Sequence, residues 1–123
     1  MAKIVGTVVA ATLIGAAGTP QSEIHRTILD NPGPGAGVRM YEHCAALLRA
    51  DGATGSEGQT TDLIALAFES GSRDGTRPTR AEIERDVDAL VPHYTERLAT
   101  ADAAIATDRA FCQSLWYERK TSR

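Results

Sequence analysis

A long amphipathic pattern between Thr79 and Arg119 constrains the fold of this 123-residue chain more than any other feature. Apolar residues recur there every three or four positions, with one gap of seven, so they share one face of an α-helix: Ile83, Val87, Leu90, Tyr94, Leu98, Ala101, Ile105, Cys112 and Leu115. Thr79 and Glu82 form a capping-box sequence at its start. Because so long an apolar face has to be covered, the pattern predicts a helical core.

Pro92 interrupts this segment. Proline removes a backbone N–H and crowds the carbonyl of the residue four positions earlier, here Asp88. The apolar register nevertheless continues past it through Tyr94 and Leu98. We therefore predict a long C-terminal helix kinked at Pro92, with two nearly coaxial helices, the second starting near Thr100, as the alternative.

Three shorter segments also have helical patterns. They cover residues 22–30, residues 38–50, and a stretch that starts at Thr60 or Thr61 and ends at Gly71. The chain has only two Phe, three Tyr and one Trp, which favours packed helices over a sheet rich in aromatic and β-branched residues. The predicted fold is all-α, a small bundle of three to four helices.

The N-terminal region divides into two parts. Residues 1–18 follow the plan of a secretory signal peptide, with Lys3, an apolar run and then small residues. A core strand or helix and an uncleaved anchor are the alternatives, although the run of about 15 residues is shorter than the roughly 20 that span a membrane. We predict that residues 19–37 form an arm ending in a Pro/Gly loop, and that residues 38–123 form the helical domain.

The charge pattern bears on the class of partner. The formal net charge is -3, and the basic residues are spread along the chain rather than concentrated. Nucleic-acid-binding proteins usually carry a concentrated basic patch, so we predict no nucleic-acid partner. We also predict no stable membrane span after removal of the signal peptide.

Cys44 and Cys112 are the two cysteines of the chain, and both fall on apolar helix faces. Two cysteines in a chain with an export signal predict one disulfide, which would join the first helix of the domain to the last. Two separately buried thiols are the alternative.

Metal-ligating residue types occur only in generic spacing. His93 and Glu96 lie one turn apart, and Glu42 or His43 from another helix could complete a set of ligands. The chain has no CxxC or HExxH motif. We therefore predict no metal, no other cofactor and no catalytic residues, and expect that the protein is not an enzyme.

Trp116 and Tyr117 stand out near the C-terminus, with Arg119 close behind them. Trp, Tyr and Arg are enriched at recognition surfaces, so these residues are candidates for a partner surface. Covering the hydrophobic core is the alternative role.

Together these patterns predict a small exported protein, periplasmic or secreted, that binds a protein partner, self-associates or serves as an envelope component. One alternative is a virion or assembly subunit that retains its apolar N-terminus. The other is a metal-dependent enzyme built around His93 and Glu96.

Overall fold

The computed structural model describes residues 21–121, and every regular element in that range is an α-helix. The predicted all-α class is confirmed, but the predicted number of helices is wrong, because this range contains five. They are α1 Glu23–Asp30, α2 Ala36–Asp51, α3 Ser56–Asp74, α4 Arg80–Ala99 and α5 Ala103–Thr121.

Helix α2 lies at the centre of the bundle. Five consecutive residues, Cys44 to Leu48, have no exposed surface. A helix buried on every side must be apolar all round, and this stretch reads Cys-Ala-Ala-Leu-Leu. Helices α3 and α4 pack along it, and α1 and α5 also contact it. The sequence predicted a helix over residues 38–50, and the structure surrounds it with the other four helices.

The C-terminal segment is two helices rather than one long helix. The break lies at residues 100–102, where Ala101 has a left-handed φ of 54°. Asp102 caps the new helix, since its Oδ1 accepts a hydrogen bond from the Ala104 N–H at 2.8 Å. Helix α4 runs unbroken through Pro92, and the predicted kink is not shown. A short side-chain acceptor at Asp102, and not the proline, therefore divides the segment.

Side chains cap the starts of two helices. Ser22 Oγ accepts a hydrogen bond from the His25 N–H at 3.1 Å. At α4, Thr79 Oγ1 accepts from the Glu82 N–H at 3.0 Å, and Glu82 Oε1 accepts from the Thr79 N–H at 2.8 Å. Both halves of the predicted capping box are therefore present.

Helix α3 is longer than its sequence pattern indicated. It begins at Ser56 rather than at Thr60 or Thr61, and it ends at Asp74 rather than at Gly71. Gly71 instead allows a close approach, because a Cβ atom there would collide with the ring of Pro78. The glycine thus serves tertiary packing between α3 and the start of α4.

Cys44 and Cys112 form the predicted disulfide. Their sulfur atoms are bonded at 2.07 Å and their Cα atoms lie 5.3 Å apart. Both residues are fully buried. The bond joins α2 to α5 across 68 positions of sequence.

The predicted signal peptide, residues 1–18, lies outside the described residues. Within the predicted arm, helix α1 packs on the other helices, since Ile24 is only 3% exposed and belongs to the hydrophobic core. The division of the chain at residue 37 stays a prediction. Across residues 21–121, none of the helices combines the length and apolar character that crossing a membrane requires.

Candidate functional site

The two aromatic residues near the C-terminus differ in their environments. Trp116 is half-buried against the core, whereas Tyr117 is 62% exposed. The Trp116 Nε1–H donates a hydrogen bond to Asp62 Oδ2 at 2.8 Å, and Lys120 Nζ lies 4.8 Å from the centre of the indole ring. The hydrogen bond and the cation–π contact therefore both restrict the position of the indole ring.

A cavity of about 280 Å³ opens beside this indole, between α3 and α5. Ala65 and Leu66 supply its apolar part, and Asp62 and Lys120 supply its polar part. Arg119, the third predicted surface residue, is exposed on α5 but does not line the cavity. We call the five lining residues, Asp62, Ala65, Leu66, Trp116 and Lys120, together with Tyr117, the exposed neighbour of Trp116 on α5, the indole surface.

A second cleft, more polar than the first, lies between the start of α2 and the first turns of α4. Its volume is about 350 Å³. Glu42 reaches it from α2 and is only 6% exposed, while Asp86 reaches it from α4. We call it the Glu42 cleft, and its lining residues are Gly35, Val38, Arg39, Glu42, Thr76, Pro78, Glu82, Arg85 and Asp86.

Glu42 has an altered protonation equilibrium. Burial, reinforced by a hydrogen bond to the Asp86 side chain and by its negative charge, raises the pKa of Glu42 to about 8. At neutral pH the neutral Glu42 carboxyl can therefore donate to the Asp86 carboxylate. Sequence reasoning named Glu42 only as an accessory metal ligand and did not find this pair.

We expect the Glu42 carboxyl to make stability depend on pH. Its folded pKa lies above its unfolded value of 4.5, so its stabilisation is complete below about pH 4.5 and is lost as the pH rises towards 8. The pKa of His43 is lowered mainly by burial. His43 therefore makes the free energy of unfolding rise with pH below its ordinary pKa of 6.5, which is opposite to the effect of Glu42. Between pH 6.5 and 8 the Glu42 effect should lower the free energy of unfolding by about 2 kcal/mol.

Urea denaturation at several pH values between 6.5 and 8 measures this slope, which is the change in the free energy of unfolding with pH. Glu42→Gln should flatten it, because the amide has no proton to lose. Glu84→Gln on α4, a residue that does not line the cleft, is the matched control and should keep the parent slope. An unchanged slope in Glu42→Gln would contradict the assignment.

A buried charge network joins α1, α4 and α5. Asp108 has no exposed surface, and its Oδ2 accepts a hydrogen bond from Arg97 Nη1 at 2.8 Å. Its Oδ1 accepts from Ser22 Oγ at 2.7 Å and from the Ile24 N–H at 3.1 Å. Arg97 also donates from Nε to Asp102 Oδ2 at 3.1 Å. Because Asp108 binds both the cap residue and the backbone of α1, the network attaches that helix to the bundle.

The histidines near this network take part in packing and hydrogen bonding. His43 Nδ1 lies 2.7 Å from the Tyr94 hydroxyl oxygen, and the His93 ring packs edge-on against the Tyr94 ring at 4.8 Å. Burial raises the pKa of Tyr94 and lowers that of His43. At neutral pH a neutral phenol and a neutral imidazole therefore share this hydrogen bond.

The structure does not bring together the candidate metal ligands that the sequence offered, namely His93, Glu96 and either Glu42 or His43. In the part of the chain that the structure describes, no group of three or more His, Cys, Asp or Glu side chains is placed to hold a metal ion. Glu42 instead faces Asp86, and His43 instead pairs with Tyr94.

Two surfaces thus have features suited to a ligand: the indole surface, with its fixed Trp116 and exposed Tyr117, and the Glu42 cleft, with its buried carboxyl group. The Arg97–Asp108 ion pair is buried, and its contacts are made within the fold. Comparison of the chain with protein-family models, with curated proteins and with solved structures found no match.

Proposed function

We propose that this chain is a small exported helical protein that binds a protein partner through the indole surface. The observation that carries the proposal is the exposed ring of Tyr117 next to an indole fixed at the rim of a cavity. Fixed aromatic side chains supply large contact areas at low entropic cost, and Trp and Tyr dominate the binding energy of many protein interfaces.

The chemistry of the surface indicates what the partner presents. Asp62 is bonded to the indole N–H and Lys120 lies over the indole ring, so both charges are engaged locally. The cavity between them has Ala65 and Leu66 in its wall. An apolar side chain of the partner is the group that fills such a cavity with the least loss of hydration.

Export is supported by the disulfide and by the pattern of residues 1–18. Disulfides form and persist in oxidising compartments such as the periplasm and the extracellular space. The Cys44–Cys112 bond lies in the core, where it links two helices that are distant in sequence. A periplasmic or secreted location is therefore part of the proposal.

The test begins with the full chain expressed in a bacterium that has an export pathway. Intact mass should show the loss of the first 17 or 18 residues, and a thiol-alkylating reagent should add no mass before reduction. A full-length chain with two reactive thiols would contradict export. It would favour the alternative of an assembly subunit that retains its N-terminus.

The second step tests the indole surface on the exported protein in its native compartment. A photo-crosslinking amino acid at Tyr117 should give one discrete adduct with another protein. The same amino acid at Leu29 is the matched control, because Leu29 is 58% exposed but lies on α1. Trp116→Ala should remove the adduct while the helical circular dichroism and the disulfide are kept.

Equal adduct formation from Tyr117 and Leu29, or an adduct that persists in Trp116→Ala, would contradict a specific surface. An adduct whose mass is twice that of the chain would contradict a heterologous partner and would show self-association instead.

A further inference from the structure

The Glu42 cleft has an unmet requirement for a hydrogen-bond donor. Glu42 is 94% buried, since its exposed fraction is 6%, and its Oε2 has no hydrogen-bond partner in the described part of the chain. The residue nonetheless lines an open cleft of about 350 Å³ rather than a closed core site. A buried carboxyl oxygen without a donor is costly, so a donor that enters the cleft and reaches Oε2 is favoured there.

The cations already near Glu42 do not supply that donor. Arg39, one turn earlier on α2, donates from Nη2 to the Asn31 carbonyl at 2.7 Å. Arg85 is a mostly exposed side chain whose Nε lies 3.9 Å from Asp86 Oδ1. Within residues 21–121, no Lys, Arg or His side chain lies within ion-pair distance of Glu42.

The pair formed by the Glu42 and Asp86 carboxyl groups needs hydrogen-bond donors. Either one shared proton or one external cation with several N–H donors can supply them. The negative groups that face the cleft are Glu42 on α2 and Glu82 and Asp86 on α4. The positive ones are Arg39 on α2 and Arg85 on α4, and the lining residue from the loop, Thr76, is uncharged. A primary ammonium group has three N–H donors on a compact head, so it can donate to both carboxylates once it replaces the proton that joins Glu42 to Asp86.

We propose that the Glu42 cleft binds a primary ammonium group, which is held between the carboxylates of Glu42 and Asp86. The apolar wall formed by Val38 and Pro78 accommodates the alkyl stem that carries the amine. Such an ammonium comes either from a free alkylamine or from a lysine side chain of a protein. This site lies apart from the indole surface, since the two cavities share no lining residue.

Proton release is the signature of this binding mode. The cation replaces the proton that neutral Glu42 holds, so the ammonium and the proton compete for the same carboxyl. Because burial raises the pKa of Glu42 to about 8, the affinity should fall about tenfold for each pH unit below that value. A cation attracted only by the general negative charge of the protein would show no such dependence.

The experiment is a titration followed by amide chemical shifts in the full chain, with n-butylammonium as the probe. Saturable shifts are expected at Glu42, Thr76 and Asp86, and they should weaken with falling pH as stated. Tetramethylammonium at the same ionic strength has no N–H donor and should give no saturable shift. Absence of saturation with n-butylammonium, or equal binding of tetramethylammonium, would overturn the proposal.

Two variants test whether the Glu42 carboxylate binds the ammonium group. Glu42→Gln keeps the shape of the side chain but removes its charge, and it should reduce the affinity at least tenfold. Glu84→Gln removes the same charge from α4 outside the cleft and should leave the affinity unchanged. If Glu84→Gln weakened binding as much as Glu42→Gln, the effect would be one of net charge and the site would be rejected.

A blocked peptide with one internal lysine distinguishes the two sources of the amine. Tighter binding of the peptide than of n-butylammonium supports a lysine side chain, and equal or weaker binding supports a free alkylamine. Crosslinking at Tyr117 does not depend on this cleft, so failure of one proposal leaves the other testable.

Discussion

Asp108→Asn should lower the free energy of unfolding by about 3–5 kcal/mol, whereas Asp88→Asn should lower it by less than about 1 kcal/mol. The two aspartates make ion pairs of equal length, since each has a carboxylate oxygen 2.8 Å from an arginine Nη1. Their burial differs: the Asp108 side chain has no exposed surface, and the Asp88 side chain is 67% exposed. The comparison therefore sets a buried ion pair, with the further hydrogen bonds that Asp108 accepts, against an exposed ion pair of the same length.

The large effect at Asp108 has a specific cause. Asn at this position leaves the guanidinium of Arg97 buried without its closest counter-charge. The amide also replaces one of the two oxygens that accept from Arg97, Ser22 and the Ile24 N–H. At Asp88 the paired Arg49 is partly exposed, so water can solvate both charges once they separate.

Chemical denaturation of both variants measures the difference in stability. Native-state hydrogen exchange adds a local readout, because Asp108 holds the cap and the first turn of α1. Amides of α1 should lose more protection in Asp108→Asn than amides of α3, which the network does not contact. Equal losses of stability in Asp108→Asn and Asp88→Asn would show that burial does not set the strength of this ion pair.

The sequence predicted the helices well where local chemistry decides their ends. Ser22 and the Thr79–Glu82 capping box act through hydrogen bonds within one turn, and such pairs are visible in sequence spacing. The end of α3 was missed because Gly71 is used for its contact with Pro78, which depends on tertiary packing. A break near Thr100 was only the alternative prediction, because Pro92 is a stronger helix-breaking signal in the sequence than the capping side chain of Asp102.

The buried ionisable residues were missed for a different reason. Asp108 fills the gap of seven in the apolar pattern, between Ile105 and Cys112, so it occupies a core position of α5. Glu42 likewise follows Val38 by one helical turn on the buried side of α2. A charged residue at an apolar register position is a signal that sequence can give. Its partners, Arg97 for Asp108 and Asp86 for Glu42, come from other helices and require the fold.

Removal of the disulfide by Cys44→Ala with Cys112→Ala should lower the free energy of unfolding by about 4 kcal/mol. On the chain-entropy model, the bond closes a loop defined by a sequence separation of 68, which restricts the unfolded chain by that amount. Small domains have a net stability of about 5–15 kcal/mol, so the loss removes a large share of it. Denaturation curves of the parent and the double variant, each with and without reductant, measure the effect.

Reductant is the internal control for this prediction. It should bring the parent close to the stability of the double variant and should leave the double variant unchanged, because the variant has no bond to break. A parent that keeps its stability when both thiols are shown by mass to be reduced would contradict the prediction. The expected result connects folding to location: a chain that depends on this bond in its core is most stable where cysteines are oxidised.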